Sequence, residues 1–363
     1  MQNLQNNMNR QQSVEISPSC PGCGAHLEYC PDKEMLSCDR CTNTVDIPVG
    51  VAGRFPLSDL SNAAANRWDE TRTFICNSCS AQEVVPAHQM TSACAFCGGT
   101  NIAASEEIAG LKPNAVVPFK ISKAKAVEAV TRWAKKKALA PSRFKKNVVA
   151  KDVDGIYTPA FKFDATTFTQ YQGVLSRVET RTTWVGGRSV VTSHTVRFPI
   201  RGTYSGNFNN MLVHACDTIG QADLNKIQPY AMQNVKEFNS AFLYGFVAGQ
   251  NKRDGLACWG QARGQIDNAI RAAVLAQHPG CSIVSFNANT QYTTASYRYV
   301  LIPVFVGHFN YRGKLYQFFI NGESGKITGK TPKSPLKIGA IVAAGVLALG
   351  GIIVGVLFGM GFI

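Results

Sequence analysis

Residues 20–41 and 76–97 decide the fold of the N-terminal third. They read CPGCGAHLEYCPDKEMLSCDRC and CNSCSAQEVVPAHQMTSACAFC. Each contains two C-x2-C pairs separated by 14 residues, and the second copy follows the first at an offset of 56 residues. Two copies with identical spacing are not expected by chance. The pattern predicts two metal-binding ribbons, at residues 18–48 and 73–103, in which two cysteine knuckles on adjacent hairpins share one ion.

Four thiolates around one ion are a common ligand set of structural zinc. An iron–sulfur cluster is an alternative, and an isolated C-x2-C can also be a redox pair, although four knuckles in two pairs argue against the redox pair. We therefore predict two Zn²⁺ ions. The eight predicted ligands are Cys20, Cys23, Cys38, Cys41, Cys76, Cys79, Cys94 and Cys97. Cys30 lies outside the pattern and is excluded. No ligand position is left for water, so both sites should be structural.

The distribution of cysteine indicates a reducing compartment. Nine of the 12 cysteines precede residue 100, whereas disulfide scaffolds are short and cysteine-dense throughout. The formal net charge of the 363-residue chain is +14, which favours an anionic partner such as nucleic acid or an acidic membrane surface. Residues 1–17 begin with an Asn- and Gln-rich run, and we predict a disordered tail there.

The C-terminal residues 338–363 contain no charged residue. These 26 residues exceed the length needed to cross a hydrocarbon layer of about 30 Å. A buried helix of a soluble core is the alternative, but such helices seldom run this far without a polar residue. A basic linker at 329–337 precedes this span and contains Lys330, Lys333 and Lys337. The positive-inside rule keeps such positive flanks in the cytoplasm, so it places the preceding domains there. Small residues repeat at Gly351, Gly355 and Gly359, a spacing typical of helix packing in membranes.

Residues 49–72 are predicted to be a linker, with a helical turn or two near Leu57 to Trp68. Residues 111–328 are predicted to form an α+β domain with an antiparallel sheet. Helices are expected at about Lys123–Ala138, Ala222–Phe246 and Gly255–Gln277. Strands are expected at Pro113–Ser122, Tyr157–Val213, Ser282–Phe286, Ser296–Phe309 and Leu315–Ile320, with hairpin turns at Gly186-Gly187 and Arg312-Gly313.

A basic segment at residues 120–151 contains eleven Lys or Arg residues and one acid, Glu128. A solvated surface is the simplest interpretation. Contact with phosphate or with anionic lipid headgroups is the functional one, and an anchor near the membrane would favour lipid. The candidate residues are Lys120, Lys123, Lys125, Arg132, Lys135, Lys136, Lys137, Arg143, Lys145 and Lys146.

We find no catalytic motif in the sequence. The run GKITGKT at 325–331 resembles a P-loop, but the first glycine of that motif is replaced by Ser324, and Pro332 stands where a phosphate-binding helix would begin. The six histidines are scattered. We therefore expect a protein that is not an enzyme, although a site assembled in space needs no local motif.

The chain resembles a family of bacterial membrane-anchored, TFIIB-type zinc-ribbon proteins, which are often labelled as related to primosomal protein N′ (replication factor Y). The similar blocks are PNAVVPFKIS at 113–122, YTPAFKFD at 157–164, IQPY at 227–230, FLYGF at 242–246 and, above all, residues 299–333. Some family members resemble docking proteins for phage-shock-protein-A and flotillin-like (SPFH) systems in envelope stress. Cys30 departs from the family's first ribbon.

Two functions from different classes follow. The first is a non-enzymatic, tail-anchored adaptor that docks cytosolic proteins at the inner (cytoplasmic) membrane through a single span. The alternative is a membrane-tethered zinc-ribbon protein that binds nucleic acid, in line with the replication-related label. A small-molecule substrate is not expected.

Overall fold

The computed structural model describes residues 16–61, 68, 71–105, 111–147, 153–216 and 219–359. The predicted N-terminal tail at 1–17 lies almost entirely outside these residues. Within this part the chain is α+β, as predicted, with two sheets and few helices.

The first sheet is small and belongs to the first cysteine ribbon. It contains the antiparallel strands β1 (Leu27–Cys30), β2 (Met35–Cys38) and β3 (Thr44–Val45). Tyr29 joins this sheet to the rest of the molecule, because its N–H donates to Tyr244 O at 2.9 Å and its hydroxyl donates to Phe119 O at 3.1 Å. The first ribbon is therefore docked on the main core through a buried aromatic residue.

The second sheet has twelve strands in the described residues. Its early strands are β4 (Phe55–Pro56), β5 (Thr71–Cys76), β6 (Gln82–Pro86), β7 (Ile102–Ser105) and β8 (Ala115–Val116). The remaining strands are β9 (Val153–Val185), β10 (Arg188–His214), β11 (Lys236–Glu237), β12 (Val247–Gly249), β13 (Cys281–Tyr311), β14 (Lys314–Asn321) and β15 (Ile327–Gly329). Most pairs are antiparallel, but β12 with β9 and β13 with β8 are parallel, so the sheet is mixed rather than purely antiparallel.

The second cysteine ribbon is part of this large sheet. Strand β6 pairs with β12, and β12 pairs with β9. The predicted linker also contributes, because β4 pairs with β13 and is followed by a 3-10 helix at Leu57–Ser61. The boundary between the second ribbon at 73–103 and the α+β domain at 111–328 stays a prediction. Backbone hydrogen bonds between strands connect these two regions.

Five α-helices are described: α1 (Lys123–Lys135), α2 (Ser142–Asn147), α3 (Gln221–Ile227), α4 (Gly255–Ala276) and α5 (Pro335–Gly359). Helix α4 confirms its prediction. Asp254 caps its N-terminus by accepting from Ala257 N. Its buried residues Ala262, Ile266, Ile270 and Val274 recur every four positions, so one face packs on the sheet.

The predicted helix over Ala222–Phe246 is wrong beyond Ile227. The chain there forms a 3-10 turn, the short strand β11 and a second 3-10 turn at Ser240–Leu243. Pro229 interrupts helical hydrogen bonding. Burial of Phe238, Phe242 and Tyr244 against the first ribbon then outweighs local helix preference.

The C-terminal helix α5 leaves the molecule beside the α1–α2 connection, where Ser334 N donates to Leu139 O at 2.9 Å and Lys337 Nζ donates to Ala140 O at 2.7 Å. Over the part of the chain that the structure describes, no helix is both long and apolar enough to cross a membrane. The predicted span at 338–363 runs past that part, since side chains after Gly351 and all of residues 360–363 lie outside the description.

Asn321 is a buried connection between the end of β14 and the loop after α3. Its amide donates to Ile227 O at 2.9 Å and Pro229 O at 3.1 Å, and its carbonyl oxygen accepts from Glu323 N and Ser324 N. Asn321→Ala leaves these buried groups unpaired, so we expect the free energy of unfolding to fall by about 2–3 kcal/mol. Denaturant unfolding checks this. The control Asn289→Ala, at an exposed position of β13, should change it by less than about 0.5 kcal/mol.

Candidate metal centres

The four cysteine knuckles share one backbone geometry. In each, the residue after the second cysteine has positive φ, and its N–H donates to the carbonyl of the first cysteine at 2.8–2.9 Å. The N–H of the first cysteine in turn donates to the residue two positions after the second cysteine, at 2.7–2.9 Å. The positive-φ residues are Gly24 (70°), Thr42 (58°), Ser80 (59°) and Gly98 (71°). The repeat seen in sequence is thus a structural repeat as well.

The knuckles bring the predicted ligands together in two sets of four. In the first set Cys20 Sγ lies 3.5 Å from Cys41 Sγ, and Cys23 Sγ lies 3.5 Å from Cys38 Sγ. In the second set the corresponding distances, Cys76 to Cys97 and Cys79 to Cys94, are both 3.7 Å. Metal–sulfur bonds of about 2.3 Å in a tetrahedron place sulfurs about 3.8 Å apart. Each set therefore fits one tetrahedral ion, and zinc suits it.

The first cysteine of each ribbon has a thiol that is more acidic than usual. Burial opposes ionisation of Cys20, but the N–H groups of Gly22 and Cys23 outweigh it and lower the pKa to about 6. At Cys76 burial likewise raises the pKa, but the N–H groups of Cys79 and Ser78 outweigh burial and lower the pKa to about 7. Because a metal binds the thiolate, these amides favour the ligand form before the ion arrives.

Two thiols of the second set, Cys79 and Cys94, are less acidic than usual until a metal binds. The pKa of Cys79 is raised to about 11, with burial as the largest cause, and burial also raises the pKa of Cys94. A cation compensates for this cost by its own charge. Filling either set should therefore release protons.

Cys30 lies outside both sets, as predicted. It ends β1, and neither four-sulfur group includes it. We expect Cys30→Ser to keep two metal ions per chain, whereas Cys23→Ser should keep one. Mass spectrometric metal analysis of purified protein checks this. A drop to one ion in Cys30→Ser would show that the ligand set is wrong.

Two residues that sequence reasoning missed support the second centre. Glu83 is 1% exposed, its Oε1 accepts from Ala95 N at 2.8 Å, and it interacts with the Cys94 thiol. His308 of β13 covers the knuckle at Gly98, where an added Cβ would lie 2.3 Å from its Nε2. The His308 contact joins residues 210 positions apart, so no local pattern indicates it, whereas Glu83 lies within the second ribbon, 12 residues before Ala95.

The predicted basic residues do not form one open surface. Lys120, Lys123 and Lys125 pair with Glu323, Asp154 and Asp32 at 2.7, 3.1 and 2.7 Å. Arg132 pairs with Glu128 at 3.9 Å. Lys137 Nζ lies 4.9 Å from the ring centre of Trp133, and Lys145 Nζ donates to Lys135 O.

Lys135 and Lys136 are exposed at the end of α1, close to where α5 begins. The side chains of Arg143 and Lys146 lie outside the part that the structure describes, and so do the surroundings of Gly355 and Gly359.

Comparison with known proteins finds one that is similar in sequence over most of the chain. No protein-family model matches, and no solved structure matches. The chain is 28% identical over 330 residues to YdjG of Bacillus subtilis strain 168, which is described as an uncharacterized protein. The match covers 90% of this chain and 92% of YdjG, so it spans most of both proteins.

Proposed function

We propose that the protein is a non-enzymatic zinc-ribbon adaptor, anchored in the cytoplasmic membrane by its C-terminal helix, that docks cytosolic proteins there. The observation that carries this proposal is the pair of closed four-cysteine centres. All four ligands of each come from the chain, so a bound zinc ion has no position for water or substrate. Such ions stabilise the fold around them and do not take part in a reaction.

The position of the basic segment agrees with an anchor. The segment and the apolar C-terminus are about 190 residues apart in sequence. The Leu139 and Ala140 carbonyls nevertheless accept from Ser334 and Lys337 at the start of α5. Lys135 and Lys136 thus lie beside the helix base, where anionic headgroups would attract each cation by about 1 kcal/mol.

Flotation with vesicles tests the anchor. The full chain should float with neutral phosphatidylcholine vesicles and stay with them in high salt, because the apolar helix holds it. Val346→Arg combined with Leu349→Arg should abolish flotation, since each arginine costs about 2.5–3.5 kcal/mol near the middle of a span. The control Leu336→Arg, ahead of the span, should still float. A wild-type chain that stays with the soluble fraction contradicts the anchor.

Affinity purification from a detergent extract tests the adaptor. We expect a cytosolic protein in stoichiometric amount, of the phage-shock or SPFH type that the family resemblance implies. Recovery of the chain alone, with both zinc ions bound, contradicts docking. Salt-sensitive binding of DNA or RNA would instead favour the nucleic-acid alternative. That alternative has less support, because four of the candidate cations are paired with acids.

A further inference from the structure

The two longest strands continue beyond the rest of the sheet. Strand β13 begins at Cys281, opposite Arg177 of β9, and α4 ends at Ala276. In the described residues, 178–185 and 188–195 therefore form a bare two-stranded ribbon, which we call the distal ribbon. Eight residues in each strand give it a length of about 26 Å. A two-stranded ribbon is marginally stable alone in water, so a partner would stabilise it.

The two faces of the distal ribbon differ in charge. The charged residues lie on the face that α4 covers further along the sheet. They share this face because successive side chains of a strand point to opposite faces. These residues are Arg177, Glu179, Arg181 and Arg188. The opposite face carries no charged residue between 178 and 195. It consists of Val178, Thr180, Thr182, Trp184, Ser189, Val191, Ser193 and Thr195. Trp184 is 75% exposed, Val178 67% and Val191 62%. Exposed apolar residues grouped in this way mark an interaction surface.

The outer edge of the distal ribbon is the free side of β10, which pairs only with β9 in the described residues. The orientation of its backbone can be read from side-chain contacts. The Thr183 hydroxyl donates to Val190 O and the Thr192 hydroxyl donates to Arg181 O, so even-numbered residues of β10 face β9. Pro199, which has no N–H to donate, is odd-numbered and faces outward. From 189 to 197 the odd residues therefore present N–H and C=O groups to a new strand.

The sequence of this edge is complementary to itself. In an antiparallel pair, opposite residues either both face the partner strand or both face away. When β10 pairs with its own copy, each odd-numbered residue must therefore lie opposite an odd-numbered residue. This rule excludes the register that places Arg188 opposite Arg197. With Ser193 opposite itself, Val190 meets Val196 and Val191 meets Thr195. Such β-branched pairs are favourable across strands. The Gly186-Gly187 turn at one end and Pro199 at the other bound the paired region.

We propose that the protein forms a twofold dimer in which β10 pairs antiparallel with β10 of a second copy, over residues 188–198 and with Ser193 on the axis. The dimer turns two bare ribbons into one four-stranded sheet. It joins the two uncharged faces into a single surface, bordered by Arg197 of each copy, and leaves Arg177, Arg181 and Arg188 on the other side. Because the paired strands run in opposite directions, the bodies of the two molecules lie at opposite ends of the new sheet.

Two proline variants test the edge. Ser193→Pro removes an outward N–H from β10. Thr180→Pro is the matched control, because Thr180 lies directly opposite Ser193 and its N–H faces the other edge, away from β10. Light scattering of the full chain in detergent micelles should give twice 39.3 kDa for the wild type and for Thr180→Pro, and 39.3 kDa for Ser193→Pro. A monomeric wild type, a dimeric Ser193→Pro or a monomeric Thr180→Pro would each overturn the proposal.

A cysteine pair gives a second test that does not depend on disrupting the ribbon. Ser193→Cys should form a disulfide-linked dimer under mild oxidation with zinc present, well above the wild-type background, whereas Thr180→Cys should not. Equal cross-linking of the two variants overturns the register. A monomeric wild type that binds acidic vesicles through Arg181 and Arg188 would assign the ribbon to a lipid surface instead. None of these results depends on whether α5 anchors the chain or whether cytosolic partners bind.

Discussion

Cys76→Ser is expected to unfold the β5–β6 part of the large sheet, whereas Cys38→Ser should unfold only the first ribbon. Structural zinc contributes about 10–16 kcal/mol of apparent binding free energy in small zinc modules, and loss of a thiolate removes much of it. Strands β5 and β6 belong to the large sheet through β12 and β9. The first ribbon has its own three-stranded sheet and joins the core through buried side chains such as Tyr29, and within the described residues none of its strands pairs with the large sheet.

Hydrogen exchange and zinc analysis distinguish the two variants. Each should lose one zinc ion. In Cys76→Ser, protection should fall at Val247–Gly249 and at neighbouring residues of β9, because their partner strand is lost. In Cys38→Ser, those amides should keep their protection while residues 27–45 lose theirs. Identical protection patterns in the two variants would contradict the connection between the second ribbon and the large sheet.

Asp164→Asn is expected to lower the free energy of unfolding by about 3–5 kcal/mol, because it leaves a buried cation without its partner. Lys162 is 3% exposed, and its Nζ donates to Asp164 Oδ2 at 2.6 Å. Directly across the sheet from Lys162 lies Arg298, which is also buried. Asp164 Oδ2 also lies 3.9 Å from Nε of the exposed Arg54, whereas Arg298 donates to the carbonyls of Gly53 and Met232, so Lys162 is the buried cation that depends directly on Asp164.

The double variant Lys162→Met with Asp164→Asn is the matched control and should recover most of the loss, since it removes both members of the pair. Equal destabilisation of the single and double variants would show that the carboxylate matters for another reason, such as its bond from Asn210 N. Denaturant unfolding at neutral pH measures both.

The effect of Asp164 should depend on pH. Burial raises the pKa of this carboxyl, but the bonds from Lys162 and Asn210 N outweigh it, so its pKa lies below the ordinary value of 3.8. A lowered pKa in the folded state means that the ionised group stabilises the protein above about pH 4. This stabilisation is lost as the pH falls through the folded-state value. The difference between wild type and Asp164→Asn should therefore shrink in acid.

The sequence predicts elements well where a few adjacent residues decide the conformation. Gly186 and Gly187 adopt φ of 60° and 80° and form the expected hairpin turn, and Arg312-Gly313 forms another. The sequence predicts elements poorly where contacts between distant residues decide the conformation. The strands expected at Ser282–Phe286 and Ser296–Phe309 are one strand, because the polar residues between them pair with β9. The predicted strand at Pro113–Ser122 shrinks to Ala115–Val116.

The sequence by itself determined the two metal centres. A C-x2-C knuckle closes through hydrogen bonds within six residues, and a fixed 14-residue spacing brings two knuckles to one ion, so all eight ligands can be named without coordinates. Only the tertiary structure decided how the centres are used. The second ribbon continues into the large sheet, the first docks through Tyr29, and β9 and β10 extend past β13 and α4. The first two relations depend on contacts between residues about 90 to 215 positions apart, which local spacing does not encode.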